Sequence, residues 1–137
     1  MQLNSLIFSG CIIVIKLLTQ TEMTSLDDEL ARSRVYIIVK IIEYVPNAIV
    51  SKTIIKKSTG NITVMSFDTG EELAEKISPF DTFAQVIDGS AEITVNRKVH
   101  QLQLGEGMII PAHAPNRIKA NQRFKMLLST IKSGYEE

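Results

Sequence analysis

The sequence predicts an all-β domain of the double-sheet jelly-roll class, and three observations carry that expectation. β-branched residues dominate from Val35 onward. Turn-forming clusters then cut the chain into short runs at Pro46-Asn47, Ser58-Thr59-Gly60-Asn61, Asp68-Thr69-Gly70, Asp88-Gly89, Asn96-Arg97 and Gly105-Glu106-Gly107. No repeat, low-complexity tract or linker divides the 137 residues, so the runs must close on one another as a single domain with its own core.

The amino-terminal region comes first. Leu6 to Leu18 is apolar apart from Ser9, Gly10 and Lys16. A membrane-crossing helix needs about twenty apolar residues, and this stretch is shorter. Met1 to Ser5 carries no Lys or Arg, whereas a secretory signal wants positive charge before its apolar part. Ile12-Ile13-Val14-Ile15 favours an extended segment or a buried helix with a core or interface role. The alternatives for residues 1–22 are a weak signal or membrane-associated segment, or a true start at Met23. Ser25 followed by Asp27, Asp28 and Glu29, then by Arg32 and Arg34, matches the charge order a helix dipole prefers and predicts a short helix over 24–34. Residues 1–35 thus form an arm, as a short helix or an extended segment, and residues 36–137 form the barrel.

Within the barrel, the clearest alternation sets Ala91, Ile93 and Val95 against Ser90, Glu92 and Thr94, a strand with one buried and one wet face. Phe83 to Ile87 is apolar on both faces, and Phe124 to Ile131 has the same character. Such strands require cover from the opposite sheet inside, and from the amino-terminal segment or a second subunit outside, which implies a homodimer. Gly89 suits a tight reversal. Pro111 cannot donate to a ladder, so it ends the run Met108-Ile109-Ile110 or lies on an edge.

Charge removes some function classes. Fifteen Lys and Arg balance fifteen Asp and Glu, which gives no electrostatic case for nucleic acid. Lys56-Lys57 and Arg97-Lys98 read as solvated turn residues. Cys11 is the single cysteine; it forms no internal disulfide, and a reducing, cytoplasmic setting without a membrane partner is expected. The chain has no Gly-rich phosphate loop, no cysteine cluster and no motif marking a Ser or Cys nucleophile. Glu71-Glu72 with Glu75 reads as a solvated loop.

The spacing of glycines and proline resembles the two motifs of the cupin family. The first runs Gly, five residues, His, one residue, His, three or four residues, Glu, six residues, Gly. Here Gly70 and Gly89 match at the family's spacing, while Lys76 and Ser78 stand in the two His positions and Thr82 in the Glu position. In the second, Gly105 and Pro111 match, His113 takes a Gly position, Asn116 takes the His position and Ala120 the final Asn position. Ser90 to Leu104 between the motifs fits one tight hairpin. The resemblance covers roughly residues 40–132 and extends to a group of small single-domain cupins through the stretch Ser78 to Gly89 and Pro111-Ala112.

That resemblance implies a barrel whose usual metal ligands are replaced. An ammonium has no free lone pair, and hydroxyls and an amide are weak ligands for iron, manganese or zinc. No metal, other cofactor or catalytic residue is therefore assigned. On the family geometry Lys76, Ser78, Thr82 and Asn116 face one another inside the barrel, and with His113 at its mouth they form a candidate ligand pocket suited to an anion or carboxylated metabolite. The opposing expectation has Lys76 reaching the rim to pair with Glu71, Glu72, Glu75 or Asp81. His100 is expected among surface or partner contacts. The function expected is non-catalytic binding of a small ligand or a partner protein. The alternatives are a metal-independent isomerase or lyase using Lys76 or His113 as acid or base, and a structural or assembly role.

Overall fold

The computed structural model describes residues 29–134, together with the backbone of three amino-terminal strands, Ser5–Phe8 (β1), Cys11–Val14 (β2) and Met23–Leu26 (β3). Of the apolar stretch 6–18, only β1 and β2 fall among the described residues, where they pair as an antiparallel hairpin. The helix expected over 24–34 does not form there. Met23–Leu26 is a strand running parallel to the first barrel strand, and residues 29–34 contain only a turn. Helix-dipole terms of about 0.3–1 kcal/mol are outweighed by pairing to a sheet edge. Leu30 N–H extends that pairing to the Ile54 carbonyl at 3.1 Å, and the Glu29 carboxylate accepts from Lys56 N–H at 2.6 Å.

The remaining strands are Ile49–Lys57 (β4), Gly60–Phe67 (β5), Glu72–Lys76 (β6), Asp81–Asp88 (β7), Ala91–Val95 (β8), Lys98–Leu102 (β9), Gly107–Ile110 (β10), Asn116–Lys119 (β11) and Phe124–Ile131 (β12). They form a six-stranded sheet in the order β10-β7-β12-β5-β4-β3 and a four-stranded sheet in the order β6-β11-β8-β9, the expected jelly roll. Turns fall where the punctuation places them. Gly89 adopts φ 74°, Pro111 follows directly on β10, and Asn96-Arg97 closes the β8–β9 hairpin with Val95 opposite Lys98.

The inner faces of the two sheets make one core. Ile49, Met65, Phe67, Ala84, Val86, Ile110, Phe124 and Met126 of the larger sheet meet Ala91, Ile93, Val95, Leu102 and Ile118 of the smaller. Phe67 and Phe124 are fully buried and stack with ring centroids 4.5 Å apart. A pair of this kind adds about 0.5–1.5 kcal/mol beyond the area it buries.

The outer face of the larger sheet has a separate cover. The β-rich run from Val35 forms no strand. Its one regular piece is a single 3-10 turn over Ile38–Lys40, after which Ile42, Val45 and Ala48 pack on Val50 and Val64, with Ile87 and Leu127 beside them. Side chains satisfy its carbonyls in place of a ladder: Lys125 Nζ donates to Val39 O at 2.7 Å and Ser66 Oγ to Glu43 O at 2.8 Å. This segment covers part of the doubly apolar strands β7 and β12. Phe83, Ile109 and Ile131 on the same face remain exposed at 41 %, 62 % and 59 %.

Candidate functional site

Two chain segments cross from one sheet to the other side by side, and the five pocket residues lie along that seam. Lys76, last in β6, is the Cα partner of Asn116, first in β11. Farther along, His113 N–H donates to Ser78 O at 2.6 Å and Ala112 N–H to Asp81 Oδ1 at 2.8 Å. The seam ends where Thr82 of β7 pairs with Ile110 of β10. A bulge in the β6–β11 register leaves Leu73 opposite Ile118 and Lys76 opposite Asn116. Directly opposed residues share a face, so Lys76 is on the side of the sheet toward which the buried Asn116 points.

The seam brings the backbones of these residues together, but their side chains are in different settings. Asn116 is 3 % exposed; its amide donates to Ala114 O at 3.0 Å and Lys76 O at 3.3 Å, which closes the loop entering β11. Thr82 is half-buried on the inner face, its hydroxyl 3.2 Å from that of Thr130. Ser78 Oγ accepts from Phe80 N–H at 3.2 Å, an ST-turn that shapes the crossing loop. His113 is exposed and adopts φ 68°. That left-handed backbone gives a physical reason for glycine at the matching family position, since a residue with a Cβ is strained there by about 1–2 kcal/mol.

Lys76 is the distinctive member. The residue is exposed overall, while its ammonium lies among enough protein atoms that desolvation holds its pKa below the ordinary lysine range. Exposure of the stem discounts that effect, and its direction stands. No ion pair joins Lys76 to Glu71, Glu72, Glu75 or Asp81, so nearby charge does not offset the desolvation. Among the described residues no three His, Cys, Asp or Glu side chains are grouped to hold a metal. The four side chains in the family's ligand positions are an ammonium, two hydroxyls and an amide already bonded to carbonyls. That donor set does not fit a transition ion.

His100 is placed differently from the surface contact expected. It lies directly opposite Ile93, on the inner face, and is half-buried. With Leu102, Glu106 and Met108 it lines a cleft of about 570 Å³ between the edge strands β9 and β10. Hairpin arithmetic carries the signal for this. A two-residue turn at Asn96-Arg97 pairs Val95 with Lys98 and therefore Ile93 with His100.

Solved structures of known proteins share this geometry. A conserved protein of unknown function from Streptococcus pyogenes is 26% identical, with a TM-score of 0.74 over 78% of this chain and 94% of that one. A cupin superfamily protein from Desulfitobacterium hafniense is 28% identical, with a TM-score of 0.71 over 76% of this chain and 95% of that one. A cupin 2 conserved barrel domain protein from Leptotrichia buccalis is 34% identical, with a TM-score of 0.67 over 69% of this chain and 46% of that one. This chain is a cupin-superfamily domain. No family model matches the sequence, and no curated protein matches it. Salicylate 1,2-dioxygenase from Pseudaminobacter salicylatoxidans, 17% identical with a TM-score of 0.57 over 61% of this chain and 26% of that one, shares the cupin fold alone. No described helix is long and apolar enough to cross a membrane.

Proposed function

We propose that this cupin domain binds a small anionic or carboxylated ligand at the barrel end marked by Lys76, without a metal and without chemistry on the ligand. One observation supports the reading above the others. The Lys76 ammonium is partly desolvated, has no carboxylate partner among the described residues, and stands across from the buried amide of Asn116. An anion reaching the seam would restore to that ammonium the compensation the protein withholds, with the hydroxyls of Thr82 and Thr130 farther along the inner face.

The test joins elemental analysis of the purified protein to a thermal-shift screen of organic acids and sugar phosphates, with Lys76→Met as control. Stabilisation of the parent chain by an acid that leaves the variant unmoved, in metal-free protein, is the expected result. Equal stabilisation of both, or a stoichiometric transition ion, removes the proposal. The lowered Lys76 pKa also favours a second reading, a metal-independent isomerase or lyase with Lys76 as base. Turnover of a bound acid, lost in Lys76→Met, distinguishes that reading from binding alone. A homodimer belongs to the same proposal, through the exposed face of Phe83, Ile109 and Ile131, and sedimentation analysis of Ile109→Glu tests it.

A further inference from the structure

A second polar site lies on the opposite side of the smaller sheet, away from the barrel interior. Arg117, Thr94 and Val99 form one row across β11, β8 and β9, each the Cα partner of the next. Their neighbours along β8, Ile93 and Val95, are buried, so this row is on the outer face. Together with Arg97, Glu75 and Glu92, and with Asn116, which it shares with the seam, it lines a cleft of about 280 Å³, a volume suited to a small metabolite.

Arg97 is an unusual residue for its position. Asn96 and Arg97 have φ 51° and 70°, the type I′ geometry in which the second residue is ordinarily glycine. Asn96 N–H is bonded to Pro115 O at 2.9 Å, which ties the turn to the loop entering β11. A long cation thus occupies a backbone position that disfavours any Cβ, and its guanidinium has no ion-pair partner among the described residues. Arg117 is only loosely engaged, 3.7 Å from Glu72 with half of its side chain exposed. Glu75 also has no ion-pair partner among the described residues. Glu92 accepts from the Asn121 amide at 2.9 Å and from Gln101 at 3.4 Å, which leaves its charge unneutralised.

Two guanidiniums and two carboxylates around one cleft, with Val99 and Pro115 as an apolar wall, complement a ligand that carries both signs. We propose that this cleft binds a small zwitterion of the free amino-acid type. Its carboxylate would be held by Arg97 and Arg117, its ammonium would be directed at Glu75 and Glu92, and its side chain would rest on Val99 and Pro115. A bare anion would meet the two carboxylates unfavourably and a bare amine the two arginines, so each selects against half a ligand.

The test uses the full chain, isotopically labelled, titrated with alanine, L-leucine and L-glutamate beside 4-methylpentanoate and 3-methylbutylamine, which are leucine without its ammonium and without its carboxylate. Amide shifts at Thr94, Val99 and Arg117 are expected with at least one amino acid and at least tenfold weaker with the two half-ligands. Arg97→Gly separates binding from folding. Glycine relieves the left-handed strain and its freer unfolded chain offsets only part of that, so the variant melts no lower than the parent and binds at least tenfold more weakly. Amino acids that leave these amides unmoved, half-ligands that bind as well as leucine, or an Arg97→Gly variant of undiminished affinity would each overturn the assignment.

Discussion

Replacing Gly89 with alanine separates two reasons for which a motif glycine is needed. Gly70, Gly89 and Gly105 share a left-handed backbone, with φ of 88°, 74° and 87°. A Cβ placed there is disfavoured by about 1–2 kcal/mol in each case. Their surroundings differ. A Cβ on Gly70 or Gly105 meets nothing within 4 Å, whereas on Gly89 it would be 2.4 Å from the Arg123 carbonyl oxygen and 3.1 Å from Phe124 Cβ. Arg123 immediately precedes β12 and Phe124 begins it, and Phe124 is fully buried in the aromatic stack. Relieving the overlap therefore shifts backbone and core together, which adds about 1–3 kcal/mol. In the folded state Gly89→Ala should lose about 2–5 kcal/mol, against about 1–2 kcal/mol for Gly70→Ala and Gly105→Ala. The stiffening of the unfolded chain by alanine offsets about 0.4–1 kcal/mol in all three and cancels in the comparison. At about 4 °C per kcal/mol for a domain of this size, and net of that offset, Tm falls by roughly 4–18 °C for Gly89→Ala and by roughly 0–6 °C for the controls. Urea unfolding followed by circular dichroism measures the differences directly. A Gly89→Ala variant no less stable than the two controls would refute the steric half of the reasoning.

Lys125→Met leaves Val39 O without its donor and removes an ammonium from over the Tyr44 ring; relief of a buried charge offsets part of this, so denaturant unfolding should show a loss of about 1–2 kcal/mol. Asp68 has its pKa lowered chiefly by the Asn47 N–H, then by Thr69 N–H and Arg123. Its stabilisation is thus complete above 3.8 and is lost as pH falls through the lowered folded value. Asp68→Asn should be less stable at pH 7 by about 1 kcal/mol, and the difference should vanish in acid; a difference independent of pH would contradict the assignment. For Lys76 the sign is reversed. Its folded pKa is depressed by desolvation, so the penalty on stability is complete below the folded value and is lifted as pH rises toward 10.5. Lys76→Gln should therefore be the more stable chain near neutrality, by under about 1 kcal/mol at this exposed residue, with the advantage shrinking in alkali. In a lysine-methyl NMR titration Lys76 should titrate below 10.5, and titration at that value would count against a desolvated ammonium.

The sequence was most legible where a residue's own chemistry dictates local geometry. Gly89 marks a turn because the left-handed backbone suits it, Pro111 follows the last residue of β10 because it cannot donate to a ladder, and Ala91, Ile93 and Val95 face inward because a strand alternates. The run from Val35 misled for the complementary reason. Its composition favours strand, yet the sheet needed a cover more than another neighbour, and Lys125 and Ser66, distant in sequence, supplied the bonds a ladder would have made.

The site divides along the same line. The chain by itself determined that weak ligands occupy the positions where the family's pattern has imidazoles and a carboxylate, since donor chemistry belongs to the residue type. Only the tertiary structure decided what those residues do: Asn116 is turned onto two carbonyls, Ser78 caps its own loop, His113 is left in solvent, and Lys76 is brought opposite a buried amide with no counter-ion among the described residues. The outer cleft of Arg97 and Arg117 follows the same rule. Two arginines far apart in the chain share a surface because hairpin register and sheet order, which are long-range properties of the pairing, bring their strands side by side.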